Sequence, residues 1–385
     1  MSIPFVDLKA QFRRIESTLR ANLDAVLDHC RFIGGAEINV LEKRLAGYCG
    51  LGHGVACSSG TDALLLALMA LGVKPGDAVL TTPFTFIATA EVIALLGAVP
   101  VFVDIDPSTY NIDPTALEQA IAAYQGRSGG YPLPTTAQGP LKGIIAVDMF
   151  GLCAEYDRLA DIAAKNGLWL VEDGAQSFGA TFQDKKACSF GHIACTSFFP
   201  AKPLGCYGDG GMCFTNDADL AALMRSFLNH GMGTERYEHV RIGLNGRLDT
   251  MQAAILQAKF DIFPEEVDLR NQVAARYSSL FAASSELVRP TVPAGYESVW
   301  AQYSLLARDE GHRQEIFGRM AAAGVPYAVH YPKPLHRQPA FAFLGYAAGD
   351  FPVSEGIATR IFSLPMHPYL VEKNQETIAR AVLGA

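Results

Sequence analysis

One lysine, Lys202, stands in the stretch CTSFFPAKPLGCYGDGGM (195–212), among aromatic, proline and glycine residues. A lysine ordinarily keeps its proton up to a pKa of about 10.4. Withdrawn from water or set beside another cation, it releases that proton more readily and becomes an amine nucleophile able to form a Schiff base. Such chemistry needs partners, and the strongest candidates lie earlier, in LWLVEDGAQSFG (168–179), where an apolar run ends in Glu172 and Asp173, followed by Gln176. Charge at the mouth of a buried strand is costly unless paired. Asp173 is therefore a candidate to bind a metal, to drive a proton transfer or to hold a protonated pyridine nitrogen. No histidine stands at ligand spacing, which speaks against the metal.

Two further stretches add to the set. CSSGTDALLL places Ser58, Ser59, Gly60 and Thr61 directly before an apolar helix, whose free N–H groups and positive end suit a phosphate. PFTFIATAE puts Phe84 and Phe86 at the end of the next strand, where a flat ring would stack on a planar group, although most such phenylalanines are core. Ser197, five residues before Lys202, adds a hydroxyl to the phosphate site. A lysine that forms an imine, an acid for a pyridine nitrogen, an aromatic plate and a phosphate cup are the requirements of pyridoxal phosphate (PLP).

The elements that must position these residues read as a repeated strand, turn and helix from about residue 50 to 215. That rhythm predicts a mainly parallel sheet covered on both faces, with ligands gathered at the carboxyl ends of its strands. Asp113 is expected to cap a helix over PTALEQAIAAY. The stretch YQGRSGGYPLPTTAQGP (124–140) breaks the rhythm and reads as a flexible or irregular surface loop without chemistry. From about 250 the pattern changes to long helices and isolated strands, which predicts a smaller α+β domain; the division is placed between residues 1–255 and 256–385.

Composition narrows the function classes. The chain has 385 residues, half of them hydrophobic and 18% charged, with a net charge of -8 and no basic cluster, so nucleic acid and acidic membranes are not expected partners. The first residues carry no secretory signal, and no apolar run approaches the roughly 18 residues of a membrane span. The eight cysteines are scattered without a CxxC pair, which points to reduced thiols in the cytoplasm and to packing roles, with Cys206, near Lys202, the candidate for mild reactivity.

With these residues in order along one sheet, the chain resembles the DegT/StrS nucleotide-sugar aminotransferases, which have the type I (aspartate aminotransferase) PLP fold. The resemblance runs nearly end to end, through PFVDLKAQ (4–11), FIGGAEINVLEKRLAGY (32–48), SSGTDAL (58–64), VEDGAQSFGA (171–180), SFFPAKPLGCYGDGG (197–211), GLNGRLDTMQAAIL (243–256), VHYPKPLH (329–336) and SLPMHPY (363–369). It implies an α/β large domain with a mainly parallel seven-stranded sheet between helices, plus the smaller C-terminal domain. Lys202 would anchor PLP covalently and then shuttle the proton; Asp173 would pair with the pyridine nitrogen; Gln176 would lie near the ring hydroxyl; Phe86 would stack on the ring. Gly60, Thr61 and Ser197 would hold the phosphate. Asn245 would reach the phosphate of the neighbouring subunit, implying a homodimer with shared active sites. L-glutamate would give its amino group, passing through the pyridoxamine phosphate form, to a keto-sugar linked to a nucleotide.

Within that family the sequence looks most like the enzymes that aminate UDP-2-acetamido-2-deoxy-3-oxo-glucuronate for surface polysaccharides such as O-antigen. Arg247, His330 and Tyr331 would then face the sugar, although His330 and Tyr331 read equally as a structural corner. A neutral 3-oxo or 4-oxo sugar is the alternative substrate, and an idle PLP-binding regulator the alternative role. A dinucleotide-dependent oxidoreductase is disfavoured, because no strand leads into GxGxxG and GDGG (208–211) has the wrong spacing. Asp148 departs from the family in replacing a common histidine, and the 124–140 stretch has no counterpart.

Overall fold

The computed structural model describes residues 3–126, 129–235 and 237–384. Two long helices, α1 (Leu8–His29) and α2 (Ala36–Cys49), precede the sheet. Then strands and helices alternate: β1 (His53–Cys57), α3 (Gly60–Ala70), β2 (Ala78–Thr81), α4 (Ala88–Leu95), β3 (Val99–Phe102), α5 (Pro114–Tyr124), β4 (Leu141–Val147), α6 (Tyr156–Asn166) and β5 (Trp169–Asp173). A small hairpin, β6 (Thr181–Phe182) and β7 (Lys185–Lys186), leads to β8 (Ile193–Ser197), β9 (Gly211–Thr215) and α7 (Ala218–Phe227).

Seven of these strands form one sheet in the order β1-β9-β8-β5-β4-β2-β3. Only β9 runs against the others, as its antiparallel pairing with both β1 and β8 requires. The strands are almost wholly buried because helices cover both faces, so they read as continuous apolar runs rather than alternating ones. Helix α3 packs on β8 and β9 and against α4 and α7. Its Leu64, Leu66 and Leu68 are buried, and each such side chain contributes about 1.5–3 kcal/mol of burial. Asp113 does cap α5, its carboxylate accepting from the Thr115 N–H at 2.8 Å.

The helical stretch after residue 250 is two helices, α8 (Thr250–Phe260) and α9 (Phe263–Leu280), with Pro264 in the first turn of α9, where a missing N–H costs nothing. Helix α8 lies against α1 and α2. Beyond it, β10 (Leu287–Val288), β12 (Tyr303–Ala307) and β13 (Ile361–Leu364) form an antiparallel sheet, while β11 (Tyr296–Glu297) joins the β6–β7 hairpin. Helices α10 (Glu310–Ala322) and α12 (Glu372–Leu383) pack together beside it, and the short α11 (Pro352–Ala358) leads into β13. Val273, Tyr277, Leu305, Ile316, Phe362 and Ile378 belong to this second core. A further cluster, with Phe84, Val147 and Phe150 from the first region and Leu306 and Ile361 from the second, joins the two.

The 124–140 stretch is irregular, as expected after the end of α5, and it is seated on the body; Arg127 and Ser128 within it lie outside the described residues. The Tyr131 hydroxyl accepts from the Asp104 N–H at 2.9 Å, and the Thr135 N–H donates to the Leu344 carbonyl at 3.0 Å. Tyr131 and Ala137 pack on a cluster that includes Phe102, Phe341 and Phe351. Gly, Pro and Ser content marks the absence of regular structure here, and Tyr131 together with Tyr124, whose hydroxyl donates to the Gly139 carbonyl at 2.6 Å, still anchors the backbone.

Candidate active site

The carboxyl ends of β1, β2, β4, β5 and β8 open into one cavity of about 510 Å³, within the usual range for small-molecule sites. Register explains the convergence: Asp173 lies opposite Val147 on one side and Cys195 on the other. Ser197, two residues beyond Cys195, therefore projects past the strand ends. Gly60, Thr61, Phe86, Asp173, Gln176, Ser197, Lys202, His330 and Tyr331 all line this space. So do Thr85, Thr89, Phe199, Asp209 and Gln302, which the sequence did not single out. Phe86 is half exposed in the cavity, whereas Phe84 is core, packed near Tyr110, Phe150 and Tyr331.

Asp173 is buried, its carboxylate accepting from the Thr89 hydroxyl at 2.8 Å and the Ala175 N–H at 3.2 Å. Burial raises its pKa, and those two donors together with Lys202 oppose the rise. Burial likewise lowers the pKa of Lys202, which Asp173 opposes. Loss of water thus drives both groups toward neutrality, the state in which a lysine is nucleophilic. Gln176 is held at both ends: its Oε1 accepts from the Phe150 N–H at 2.9 Å, and its Nε2 donates to the Tyr331 hydroxyl at 3.3 Å. Thr89 carried no signal in the sequence, because a threonine inside a helix reads as packing.

At the far side, α3 begins with Ser59 as its cap, the Ser59 hydroxyl accepting from the Asp62 N–H at 3.0 Å. The Gly60 and Thr61 N–H groups belong to the first turn, which has no helical acceptors. A side chain at Gly60 would stand 2.6 Å from the Ser197 Cβ, so only glycine lets the turn meet β8 this closely.

Glycines after Lys202 permit close approach of one backbone segment to another. A Cβ at Gly205 would lie 2.5 Å from the Phe199 carbonyl, and one at Gly211 would lie 2.3 Å from the Ser59 carbonyl. The loop is held from below by another lysine, the fully buried Lys259, whose ammonium donates to the Gly205 carbonyl and sits 4.6 Å from the Tyr207 ring centroid. Burial pushes its pKa down to about 8. The expected reactivity of Cys206 is overturned. Its thiol is buried and donates to the Phe198 and Gly208 carbonyls, and burial pushes its pKa up to about 11. Cys30 is the exposed cysteine; the other seven are buried.

Asn245 and Arg247 do not join the cavity wall. Their segment runs beside the end of β1, with the Ser58 N–H donating to the Gly246 carbonyl at 2.8 Å. Arg247 donates to the Asn229 side-chain oxygen at 2.7 Å, and its Nε is buried without a partner among the described residues. His330, in contrast, is at the cavity and is held through Nδ1, 2.9 Å from the Ser363 hydroxyl. Burial, with Lys202 adding to it, pushes its pKa down to about 4, so the ring is neutral near pH 7.

Behind Asp173 lies a buried carboxyl pair. Asp148 accepts from the Ala154 N–H at 2.8 Å, the Tyr156 hydroxyl at 2.8 Å and the Ser177 hydroxyl at 2.6 Å. Glu172 accepts from the Cys188 and Phe190 N–H groups. Burial raises both pKa values, that of Asp148 to about 6 and that of Glu172 further. Burial and mutual repulsion favour one shared proton on the pair, and Glu172, with fewer donors, is the better carrier. The aspartate at 148 is therefore bonded into the protein interior and makes no contact with the cavity.

A family model described as the DegT/DnrJ/EryC1/StrS aminotransferase family matches residues 13–383. The chain is 47% identical over 380 residues, 99% of each chain, to the UDP-2-acetamido-2-deoxy-3-oxo-D-glucuronate aminotransferase of Pseudomonas aeruginosa. It is 40% identical over 381 residues, 99% of this chain and 97% of the relative, to a UDP-N-acetyl-3-dehydro-alpha-D-glucosamine 3-aminotransferase of Acidithiobacillus ferrooxidans. The crystal structure of a DegT DnrJ EryC1 StrS aminotransferase from Brucella abortus matches it with a TM-score of 0.93 at 46% identity, covering 99% of both chains. A lysine and an aspartate facing each other across a cavity at the strand ends, in a chain matched over almost its whole length, make this protein a member of the DegT/DnrJ/EryC1/StrS aminotransferase family.

Proposed function

We propose that the chain moves the amino group of L-glutamate to C3 of UDP-2-acetamido-2-deoxy-3-oxo-glucuronate, giving 2-oxoglutarate and the 3-amino sugar for a surface polysaccharide. The observation that carries the reading is the shared cavity of Lys202, Asp173 and the first turn of α3, in a chain nearly half identical to a relative named for that substrate.

The cavity fits PLP, the cofactor of this family. Its donor set matches the three parts of that molecule: a buried carboxylate for the ring nitrogen (Asp173), a half-buried amine for the aldehyde (Lys202), and first-turn N–H groups with the Thr61 and Ser197 hydroxyls for the phosphate. When bound, the cofactor supplies a carrier for the amino group and a ring that takes up the electrons released at the substrate carbon. Asp173 would keep a proton on the ring nitrogen, its bonds from Thr89 and Ala175 favouring the charged carboxylate against the burial that raises its pKa. Lys202 Nζ takes the proton from C2 of glutamate in the first half-reaction and returns one to C3 of the sugar in the second. Phe86 would cover the ring face, Gln176 would meet the ring hydroxyl, and His330 and Tyr331 would meet the sugar.

Asn245 and Arg247 complete the cavity of a second copy, Asn245 at the phosphate and Arg247 at the sugar carboxylate through paired N–H donors. The exposed apolar residues Val240 and Ile242 beside them, with Phe32 and Ile33, support such a homodimer. No helix among the described residues is long and apolar enough to cross a membrane. The reaction is assigned to the cytoplasm, and the chain to two functional parts, a PLP-binding part (1–255) and a C-terminal part (256–385).

The purified protein is expected to be yellow, to lose that absorbance with L-glutamate and to regain it with the 3-oxo-uronate generated in situ by a dehydrogenase. The product should carry nitrogen at C3, and Lys202→Ala should slow transfer by about 10²–10⁴-fold. Reaction with neutral 3-oxo or 4-oxo sugars but not the uronate would overturn the substrate, and a colourless protein indifferent to PLP would overturn the chemistry.

A further inference from the structure

Where His330 meets the cavity, it is the end of a short chain of hydroxyls that the cofactor chemistry does not use. Ser363 on β13 and Ser304 on β12 stand opposite each other across the antiparallel pair. Their hydroxyls are 2.9 Å apart, and both residues are buried. The Ser363 hydroxyl also lies 2.9 Å from His330 Nδ1. The backbone fixes this arrangement. Ser363 and Ala328 exchange both of their N–H to carbonyl bonds, at 2.8 and 3.2 Å, so the segment leading to His330 is laid along β13 as a partial extra strand.

Two hydroxyl protons must be distributed along Ser304, Ser363 and the imidazole. If Ser304 donates to Ser363 and Ser363 donates to Nδ1, each serine proton meets a protein acceptor. In the opposite order Nδ1–H donates to Ser363 and Ser363 donates to Ser304. The Ser304 proton then makes no hydrogen bond among the described residues, in a space of about 20 Å³ that Ser304 shares with Gln302, whose Oε1 is likewise unpaired. A buried donor without a partner is disfavoured. The first order is also the one that matches the intrinsic preference of a neutral imidazole for carrying its proton on Nε2. His330 Nε2 has no protein partner among the described residues, and the residue lines the cavity that holds Lys202.

We propose that Ser363, oriented by Ser304, is a positioning residue that holds His330 as the Nε2–H tautomer, so that a hydrogen-bond donor faces the cavity for an acceptor oxygen of the keto-sugar. The inference rests on the sugar-amination reading only for what that donor meets. An uncharged donor suits a keto or carboxylate oxygen, and unlike a second cation it does not hinder protonation of Lys202 while the lysine passes its proton on. It also assigns a task to the serine of SLPMHPY, a motif whose chemistry is otherwise unaccounted for.

The test is made on the holoenzyme labelled with ¹⁵N in histidine, with the His330 signals identified as those lost in His330→Gln. At pH 7 the expected pattern is an unprotonated, hydrogen-bonded Nδ1 and a protonated Nε2. In Ser363→Ala the two tautomers should mix. The KM for the keto-sugar should rise about tenfold, the worth of one hydrogen bond, while the glutamate half-reaction stays unchanged. Ser363→Thr should restore both readouts. A protonated Nδ1 in the wild type would overturn the proposal, as would a Ser363→Ala protein that slows both half-reactions equally. Absence of a glutamate half-reaction in the wild type would instead remove the aminotransfer reading, which the tautomer measurement does not depend on.

Discussion

Asp173 and Glu172 are consecutive carboxylates on one strand with opposite fates, because a strand turns successive side chains to opposite faces. Asp173 faces the cavity and keeps two donors; Glu172 faces the interior and meets Asp148. The pair has a consequence for stability. Its members bind a proton more tightly folded than unfolded, where a carboxyl titrates near 4. Its stabilisation is therefore fullest at low pH and declines as pH rises from about 4 through the folded value of about 6 at Asp148. The slope is up to about 1.4 kcal/mol per pH unit for each excess proton. Glu172→Gln keeps a permanent donor toward Asp148 and should flatten that slope. Urea titrations between pH 4.5 and 7 check it, and an unchanged pH dependence in the variant would show that the pair does not hold the proton.

At the scale of elements, the site depends on how closely β9 and the Lys202 loop approach the first turn of α3. Gly211→Ala would push a methyl against the Ser59 carbonyl and the Gly60 nitrogen, both backbone and unable to yield cheaply. A cost of about 1–3 kcal/mol is expected, together with weaker retention of PLP, since the displaced turn is the one assigned to the phosphate. Gly47, inside α2, is the contrast. Nothing lies within 4 Å of its missing Cβ, so Gly47→Ala should stabilise the protein by about 0.4–1 kcal/mol without touching the cofactor. Thermal unfolding and the absorbance kept after gel filtration measure the two effects. Equal behaviour of the two variants would contradict the close-approach account.

For the whole molecule, the question is what holds the cavity wall of His330 and Tyr331, which comes from the C-terminal region, against a sheet that comes from the first half of the chain. Asp104, just past β3, accepts from the Val353 N–H at 2.9 Å, the Ser354 N–H at 3.0 Å and the Ser354 hydroxyl at 2.6 Å, so the sheet region caps α11 across about 250 positions of sequence. Helix α11 leads into β13, and β13 carries Ser363. Asp104→Ala should cost about 1–3 kcal/mol and loosen the keto-sugar side first. Hydrogen exchange should quicken over residues 352–364 while β5 keeps its protection. Equal loosening of β5 would indicate a general loss of stability rather than a latch.

Much of this was readable from residue order alone. The alternation of strand and helix, the cap at Asp113, and Lys202, Asp173, Gln176 and the SSGT turn as one site all follow from local rules, because apolar periodicity and strand ends are properties of short segments. The chain by itself determined which of these residues would meet at the cavity floor. Thr89, Lys259 and the hydroxyl chain through Ser304 and Ser363 could not be read this way. Each acts across long sequence separations, where a threonine or serine in an apolar element has no distinguishing neighbours. The same holds for the seating of 124–140 through Tyr131 and for Asp148, whose meaning changed once Glu172 was beside it. Tertiary structure alone decided those, since a side chain's role there is set by the partners and the dielectric that folding brings to it.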